Sequence, residues 1–147
     1  MRMIIQRVKK AKVTLVSDQK VVGEIREGLF VLVGFKKRDT EKEVGILAEK
    51  LSKLRIMRDG EKKMNLSVKD TDVGVLIVSQ FTLYADTQGS NRPSFIEAEK
   101  SARAKELYEF FIKKLKEKDV KIETGNFGEY MQIETILDGP VTIIYSD

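Results

Sequence analysis

The sequence predicts an α+β fold, a single domain in which antiparallel or mixed β-sheets form a barrel-like core beside two long helices. Three observations predict it. Most of the predicted strands are linked by short turns, two amphipathic helices interrupt them, and no strand–helix–strand unit repeats. The 147 residues are 41% hydrophobic and contain no Pro-, Gly- or Ser-rich linker, so residues 1–147 are expected to share one core.

The first third of the chain is rich in predicted strands. Residues 3–8 and 13–16 favour β-structure, and residues 17–19 form a turn into a strand at 21–25, which predicts a hairpin. A second turn at Glu27 and Gly28 leads into LFVLVGF (29–35), which is typical of a buried strand.

A first helix is predicted from Thr40 to about Leu54. Thr40 and Glu43 fit a capping box, and apolar residues follow at helical spacing: Val44, Leu47, Ala48, Leu51 and Leu54. The other face interleaves Lys and Glu at the spacings of intrahelical ion pairs. We interpret that face as solvated rather than as a nucleic-acid surface.

The stretch VGVLIVSQFTLYAD (73–86) is the centre of the prediction. Before it, a short strand at 55–57, a turn at Asp59-Gly60 and a returning strand at 63–66 form a hairpin. Residues 75–78 are an apolar run without alternation, typical of a strand covered on both faces. Ser79 and Gln80 end this run. They are compatible with a strand that simply meets solvent, and also with reactive groups held at a rigid strand end.

The remaining segments complete the pattern. Residues 87–93 (TQGSNRP) predict an exposed loop. A second helix is predicted over 100–118, because apolar residues recur three, four and seven positions apart: Ala104, Leu107, Tyr108, Phe111 and Leu115. Strands at 120–123 and 130–137 follow, and the Asp-Gly-Pro sequence at 138–140 predicts a turn into the last strand, VTIIY.

Composition excludes several classes of chemistry. The chain has no His and no Cys, which excludes a Ser-His-Asp triad, a Cys nucleophile, disulfides and the usual zinc sites. It contains neither GxxxxGK nor GxGxxG, which argues against nucleotide hydrolysis. No apolar stretch is long enough for a signal peptide or a membrane span, so a soluble, cytoplasmic protein is expected. The net charge of +4 is compatible with a polyanionic partner.

Four separated motifs together resemble the D-aminoacyl-tRNA deacylase family, of the D-tyrosyl-tRNA deacylase type. They are IQRV (5–8), SQFTL (79–83), NRPSF (91–95), and TGNFGEYM with DGPVT between residues 124 and 142. The resemblance implies a homodimeric hydrolase acting on carboxylic ester bonds, without a metal or other cofactor. Its substrate would be the 3′ end of D-aminoacyl-tRNA, or glycine mischarged on tRNA(Ala), and its role chiral proofreading in tRNA editing.

The resemblance implies that Ser79, Gln80, Phe81 and Thr82 form the catalytic segment. The backbone N–H groups of Ser79, Gln80 and Phe81 would anchor the amino acid and stabilise the charge that develops on the ester carbonyl oxygen. Two routes stay open: Thr82 acts as a nucleophile, or the 2′-hydroxyl of the tRNA assists the attacking water. The absence of histidine favours the second route, because no evident base would activate Thr82.

The resemblance also implies that Gly139 and Pro140 form a cis peptide that reaches into the partner's site. There the carbonyl oxygens would face the chiral centre and leave no room for an L side chain, so that selection works by exclusion. Arg7 would hold this loop. An ordinary Asp-Gly-Pro turn is the alternative.

The resemblance also implies a pocket for the terminal nucleoside. Ala102, Phe127 and Met131 match the residues that line the adenosine pocket of the family, and Met64 would lie near it. Phe127 and Met131 are equally compatible with core positions. The sequence departs from the family at two places: Glu129 replaces a small residue, and Leu137 replaces the Asn that commonly precedes Asp-Gly-Pro.

Two other functional classes compete with an enzyme. One is a non-catalytic RNA- or DNA-binding module that uses its basic surface, and the other is a purely structural dimer. A binding module would be expected to carry exposed aromatic residues among its basic residues for stacking. Here the aromatic residues fall mostly on apolar stripes or beside glycine, which favours the enzyme.

Overall fold

The structure, a computed structural model, describes residues 1–146 and has the predicted α+β architecture. One mixed sheet contains β1 (Arg2–Leu15), β2 (Val21–Ile25), β3 (Gly28–Gly34), β6 (Gly74–Ser79), β7 (Lys121–Thr124) and β8 (Met131–Ser146). A separate hairpin pairs β4 (Met57–Arg58) with β5 (Met64–Leu66). The two helices are α1 (Glu41–Ser52) and α2 (Ser101–Lys116).

The sheet curls into a barrel-like form because its two ends approach each other. Its strand order is β2-β1-β3-β6-β7, with β8 on the other edge of β1. Gly23 on β2 faces β7, where a Cβ atom would lie 2.6 Å from the carbonyl oxygen of Thr124. The absence of a side chain at Gly23 therefore permits the close approach of the two strands. The predicted fold class is confirmed.

The central strand is β6, which pairs in parallel with both β3 and β7. Its side chains alternate between two buried clusters. Val75 and Ile77 pack in the cluster that includes residues of both helices, whereas Leu76 and Val78 pack with residues of β1, β2 and β3 on the other face. The prediction that this strand is covered on both faces is confirmed.

Local sequence signals place both helices correctly. The N–H of Glu43 donates to Thr40 Oγ1 at 3.4 Å, and the N–H of Thr40 donates to Glu43 Oε2 at 2.8 Å, so the capping box is present. Helix α1 ends at Ser52, two residues before the predicted end at Leu54. On α2, all five of the predicted apolar residues are buried: Ala104, Leu107, Tyr108, Phe111 and Leu115.

The structure corrects the prediction of two separate strands at 3–8 and 13–16. Both belong to β1, which continues through the charged segment between them. Lysines of this segment form ion pairs with neighbouring strands and with the turn before β3, at N–O distances of 2.6–2.8 Å: Lys9 with Glu27, Lys10 with Glu24, and Lys12 with Glu134. These cross-strand partners keep the polar segment extended.

The predicted turn at 138–140 also differs. Residues 131–146 form one strand, in which Leu137 pairs with Val8 and Thr142 pairs with Gln6. Residues 138–141 therefore leave the ladder opposite Arg7. We call this segment the Gly-Pro excursion. Within residues 1–146, neither helix has the length and apolar character that a membrane crossing requires.

Candidate functional site

A cavity of about 700 Å³ opens at the carboxyl end of β6. Its walls come from the ends of β3 and β6, the 3₁₀ helix Phe81–Tyr84, the start of α2 and the segment before and into β8. This volume lies in the range of small-molecule binding sites. The residues that line it are Gly34, Phe35, Val78, Ser79, Gln80, Phe81, Glu99, Ser101, Ala104, Phe127, Gly128, Glu129, Tyr130, Met131 and Ile133.

The cavity brings together part of the predicted site. Ser79, Gln80 and Phe81 line one wall, while Phe127 and Met131 line another. The other predicted residues do not line this cavity: Arg7, Met64, Thr82, Ala102, Gly139 and Pro140. The exposed Ala102 and the cavity-lining Ser101 and Ala104 all belong to α2, and Met64 is exposed on β5.

The start of the 3₁₀ helix offers two backbone N–H groups that are unpartnered among the described residues. The N–H of Gln80 donates to the carbonyl oxygen of Val33 at 2.7 Å and is therefore occupied. The N–H groups of Leu83 and Ala85 donate to the carbonyl oxygens of Gln80 and Thr82 at the two ends of the 3₁₀ helix. Within residues 1–146 the N–H groups of Phe81 and Thr82 have no partner, as expected at a helix start. Both are available to an acceptor.

The hydroxyl of Thr82 is engaged by the neighbouring amide. Gln80 Nε2 donates to Thr82 Oγ1 at 2.6 Å, and Thr82 is exposed rather than part of the cavity wall. Its hydroxyl has no basic partner in the described part of the chain. This arrangement lacks the adjacent base that activates a hydroxyl nucleophile.

Contacts from β1 and β3 fix the 3₁₀ helix. The guanidinium of Arg2 donates through an Nη atom to the carbonyl oxygen of Leu83 at 2.8 Å and lies 4.6 Å from the ring centre of Tyr84. A Cβ atom on Gly34 would lie 2.6 Å from the carbonyl oxygen of Gln80, so only glycine permits this approach. Sequence reasoning did not identify Arg2 or Gly34. The glycine within an apolar strand was the available signal for Gly34.

The opposite wall combines core packing with exposure to the cavity. The ring of Phe127 packs against Tyr108 with ring centres 5.7 Å apart, and the Tyr108 hydroxyl donates to the carbonyl oxygen of Ile77 at 2.8 Å. Burial raises the pKa of Tyr108 above its ordinary value, so this hydroxyl stays protonated as a donor. Phe127 and Met131 thus contact the core and the cavity at once.

Two side chains at the rim of this wall are open to solvent. Glu129, one of the departures from the family pattern, lines the cavity and is exposed, so it adds a negative charge there. Tyr130 is 83% exposed, and its carbonyl oxygen accepts the N–H of Val16 at 3.0 Å.

The Gly-Pro excursion lies outside the cavity of its own chain. The peptide bond between Gly139 and Pro140 is cis, both residues are exposed, and Gly139 has a φ of +127°. That φ lies in the region that favours glycine.

Arg7 contacts the Gly-Pro excursion at its first residue, Asp138. It is 3% exposed, with its Nε atom 2.9 Å from Asp138 Oδ2 and one Nη atom donating to the carbonyl oxygen of Ile56 at 2.8 Å. The Nε contact is an ion pair without aligned hydrogen-bond geometry. Arg58 adds a longer contact, 3.7 Å, to the other carboxylate oxygen of Asp138.

The outer edge of β8 has no strand partner in residues 1–146. This strand also exposes large apolar side chains, whereas a strand edge that faces solvent usually carries polar or charged ones. They are Ile133, Ile136, Leu137 and Ile144.

The chain is similar over nearly its whole length to proteins of one family. The family model described as D-Tyr-tRNA(Tyr) deacylase matches residues 4–146. A D-aminoacyl-tRNA deacylase from Thermotoga petrophila is 51% identical over 144 residues, covering 98% of this chain and 95% of that protein. One from Brevibacillus brevis is 48% identical over 144 residues, covering 98% of each.

Two solved structures share the fold. The c-Myc DNA Unwinding Element Binding Protein superposes with a TM-score of 0.92 at 34% identity, covering 100% of this chain and 99% of that one. A probable eukaryotic D-amino acid tRNA deacylase superposes with a TM-score of 0.83 at 18% identity, covering 98% and 97%. The latter likeness concerns the fold alone.

Proposed function

The chain belongs to the D-Tyr-tRNA(Tyr) deacylase family, and we propose from this membership that it is a hydrolase that cleaves the ester of D-aminoacyl-tRNA. The products are a free D-amino acid and the tRNA. One observation of this chain carries the proposal furthest: Phe81, which lines the cavity at the end of β6, has an unpartnered N–H within residues 1–146, and the next N–H in the chain, that of Thr82, is also unpartnered.

These two N–H groups suit the chemistry of ester hydrolysis. Water adds to the ester carbonyl carbon, negative charge develops on the carbonyl oxygen, and the bond to the ribose oxygen then breaks. Donors that are already oriented stabilise this developing charge without reorganisation. The contacts of Arg2 and the approach of Gly34 to Gln80 hold the donors in place.

The position of Thr82 supports a route without a protein nucleophile. Its hydroxyl is exposed, accepts a hydrogen bond from Gln80, and has no base beside it in the described residues. We therefore propose that the 2′-hydroxyl of the terminal ribose assists the attacking water. The protein contributes positioning and stabilisation of the oxyanion.

Selection against L-amino acids is proposed to involve a second copy of the chain. Gly139 and Pro140 are exposed and lie outside their own cavity, which supports a role in a partner's cavity. The exposed apolar side chains of β8 support a homodimer. Rigid backbone at the position of an L side chain would exclude it by steric clash. Glycine has no side chain to exclude, so glycine on tRNA(Ala) is a proposed further substrate.

The nucleoside is proposed to contact Phe127 and Met131, because both line the cavity on the wall opposite the N–H donors. Glu129 adds a carboxylate to that wall, which disfavours a phosphate inside the cavity. Ala102 and Met64 are not part of this proposal, since both lie outside the cavity. We place the reaction in the cytoplasm, where aminoacyl-tRNA is used.

A second candidate is a nucleic-acid-binding module without catalysis. The observation that favours it is the name of a structural neighbour with 34% identity, a DNA unwinding element binding protein. The enzyme remains the better supported function, since a binding surface requires neither an enclosed cavity nor unpartnered N–H donors.

One assay tests the proposal. Purified protein is incubated with D-tyrosyl-tRNA and with L-tyrosyl-tRNA, and the release of free tyrosine is followed. We expect release from the D substrate alone. If the protein accelerated the hydrolysis of neither ester, the proposed deacylase activity would be refuted. DNA binding without hydrolysis would then favour the second candidate.

A further inference from the structure

Three exposed cations near the cavity have no acidic partner within residues 1–146. Elsewhere many lysines and arginines form ion pairs, as Lys9, Lys12 and Arg103 do. Lys37, Arg38 and Lys100 form none and are exposed. We call these three residues the basic patch.

Backbone pairing places the basic patch beside the cavity. The N–H of Glu99 donates to the carbonyl oxygen of Phe35, and the N–H of Lys37 donates to the carbonyl oxygen of Glu97, both at 3.0 Å. The chain after β3 thus runs antiparallel to the chain before α2, with Lys36 opposite Ala98. Phe35, Glu99 and Ser101 line the cavity. Lys100 lies between two of these residues in the chain, and Lys37 and Arg38 follow the third by two and three residues, so the patch lies close to the rim.

The part of the rim formed by residues 35–38 and 97–100 carries a positive net charge, in contrast to the cavity itself. Its carboxylates are Glu97, which has no ion pair in the described residues, and Glu99, whose Oε1 accepts the N–H of Lys100 at 2.7 Å. Inside the cavity the charged side chains are Glu99 and Glu129, both negative. A phosphate is therefore favoured at the rim and disfavoured within.

We propose that the basic patch binds phosphates of the single-stranded 3′ end of an RNA whose terminal aminoacyl nucleoside occupies the cavity. This inference rests on the proposed function. A cavity of about 700 Å³ has room for roughly one aminoacyl nucleoside, so the preceding nucleotides must lie outside it. Each of them carries a negative charge, and the basic patch supplies the unpaired cations at that border.

The test replaces all three patch residues: Lys37→Gln, Arg38→Gln and Lys100→Gln in one variant. A matched control carries Lys69→Gln, Lys113→Gln and Lys116→Gln, which are also exposed and without ion pairs in the described residues. Lys116 lies at the other end of α2, about 24 Å from Lys100 at 1.5 Å per residue. KM for D-tyrosyl-tRNA is measured between low and high salt, and KM for D-tyrosyl-adenosine, which has no phosphate, is measured beside it.

We expect the patch variant to raise KM for the tRNA by roughly tenfold at low salt, and the control to match the unmodified protein. The slope of log KM against log salt should fall by about 2, since each single-strand phosphate contact contributes about 0.7. KM for D-tyrosyl-adenosine should not change. The KM values of the patch variant and of the unmodified protein for the tRNA should therefore converge at high salt.

Three outcomes would overturn the inference: an unchanged slope in the patch variant, an equal fall in the control, or an equal rise in KM for D-tyrosyl-adenosine. Failure of the unmodified protein to hydrolyse D-tyrosyl-tRNA would instead reject the proposed function. Thermal melting of both variants establishes that they are folded.

Discussion

Phe81 contributes two separable groups to the site. Its N–H has no partner within residues 1–146, and its ring is 55% exposed with its centre 5.1 Å from that of Phe95. We expect Phe81→Pro to lower kcat by about 10²-fold or more, because proline has no N–H to donate to the oxyanion. Single-turnover deacylation of D-tyrosyl-tRNA measures this.

Phe81→Ala is the matched control, since it removes the same ring and keeps the N–H. Proline is tolerated at a first helical position, where its φ already fits. If both variants lost activity equally, the ring rather than the N–H would be the functional group.

Thr82→Ala distinguishes the two catalytic routes. We expect kcat/KM within about tenfold of the unmodified value, whereas loss of a nucleophile would cost on the order of 10⁴-fold or more. Thr82→Ser keeps a hydroxyl at the same place. If the serine variant were fully active and the alanine variant inactive, Thr82 would have to act as a nucleophile after all.

At the scale of elements, a largely buried ion pair lies at the start of the Gly-Pro excursion. Arg7 and Asp138 are both largely buried, so among residues 1–146 Arg7→Gln leaves the carboxylate of Asp138 with the more distant Arg58 as its ion-pair partner. We expect a loss of about 3 kcal/mol in the free energy of unfolding, measured by urea denaturation. Lys63→Gln, which breaks an exposed pair with Glu61, should cost less than about 1 kcal/mol. Equal costs for the two variants would contradict a special role for the buried pair.

Glu49 on α1 pairs with Lys118, which follows the end of α2. The pKa of Glu49 is lowered to about 2, first by a hydrogen bond from Lys118 and then by one from Lys53. Because the folded-state pKa lies below the unfolded value of 4.5, the ionised carboxylate stabilises the folded protein. This contribution is complete above pH 4.5 and is lost as the pH falls towards 2.

Glu49→Gln removes that pH dependence. We expect the difference in unfolding free energy between the unmodified protein and this variant to shrink steadily below pH 4.5. Urea titrations at a series of pH values measure it, and high salt should reduce it because both partners are partly exposed. A difference that stayed constant down to pH 2 would show that the pairs do not stabilise the fold.

Sequence reasoning succeeded where the determinants are local. The capping box joins residues three apart, and the stripe of α2 repeats within one helix, so both were predictable. The continuity of β1 was not, because it depends on Glu24, Glu27 and Glu134 in other segments.

The same distinction holds for the candidate site. Motifs located Ser79, Gln80 and Phe81 as well as Phe127 and Met131, which the cavity brings together. Motifs could not show that Val33 occupies the N–H of Gln80, since that contact joins two strands.

For the whole molecule, the proposed dimer gives a direct prediction. Ile144 is 68% exposed on β8, and Ile144→Lys should produce a folded monomer that no longer hydrolyses D-tyrosyl-tRNA. A charge at an apolar interface is costly when it is buried without a partner. Light scattering and the deacylation assay check this together.

Val21→Lys is the control, because Val21 is also an exposed apolar residue, 47% exposed, but lies on β2. It should leave both mass and activity unchanged. If the unmodified protein were itself a monomer, the proposal that a second copy of the chain excludes L-amino acids would be refuted.

The pairing of β1 with β8 has a consequence for biosynthesis. Arg2 pairs with Ser146 and Leu15 with Met131, so β1 is translated before all the other described strands but finds its partner only when β8, the last of them, has been made. Until then one edge of β1 is open, and such edges recruit other nascent chains. Contacts between residues so distant in sequence also slow folding. Chaperone engagement during translation is therefore expected to centre on β1.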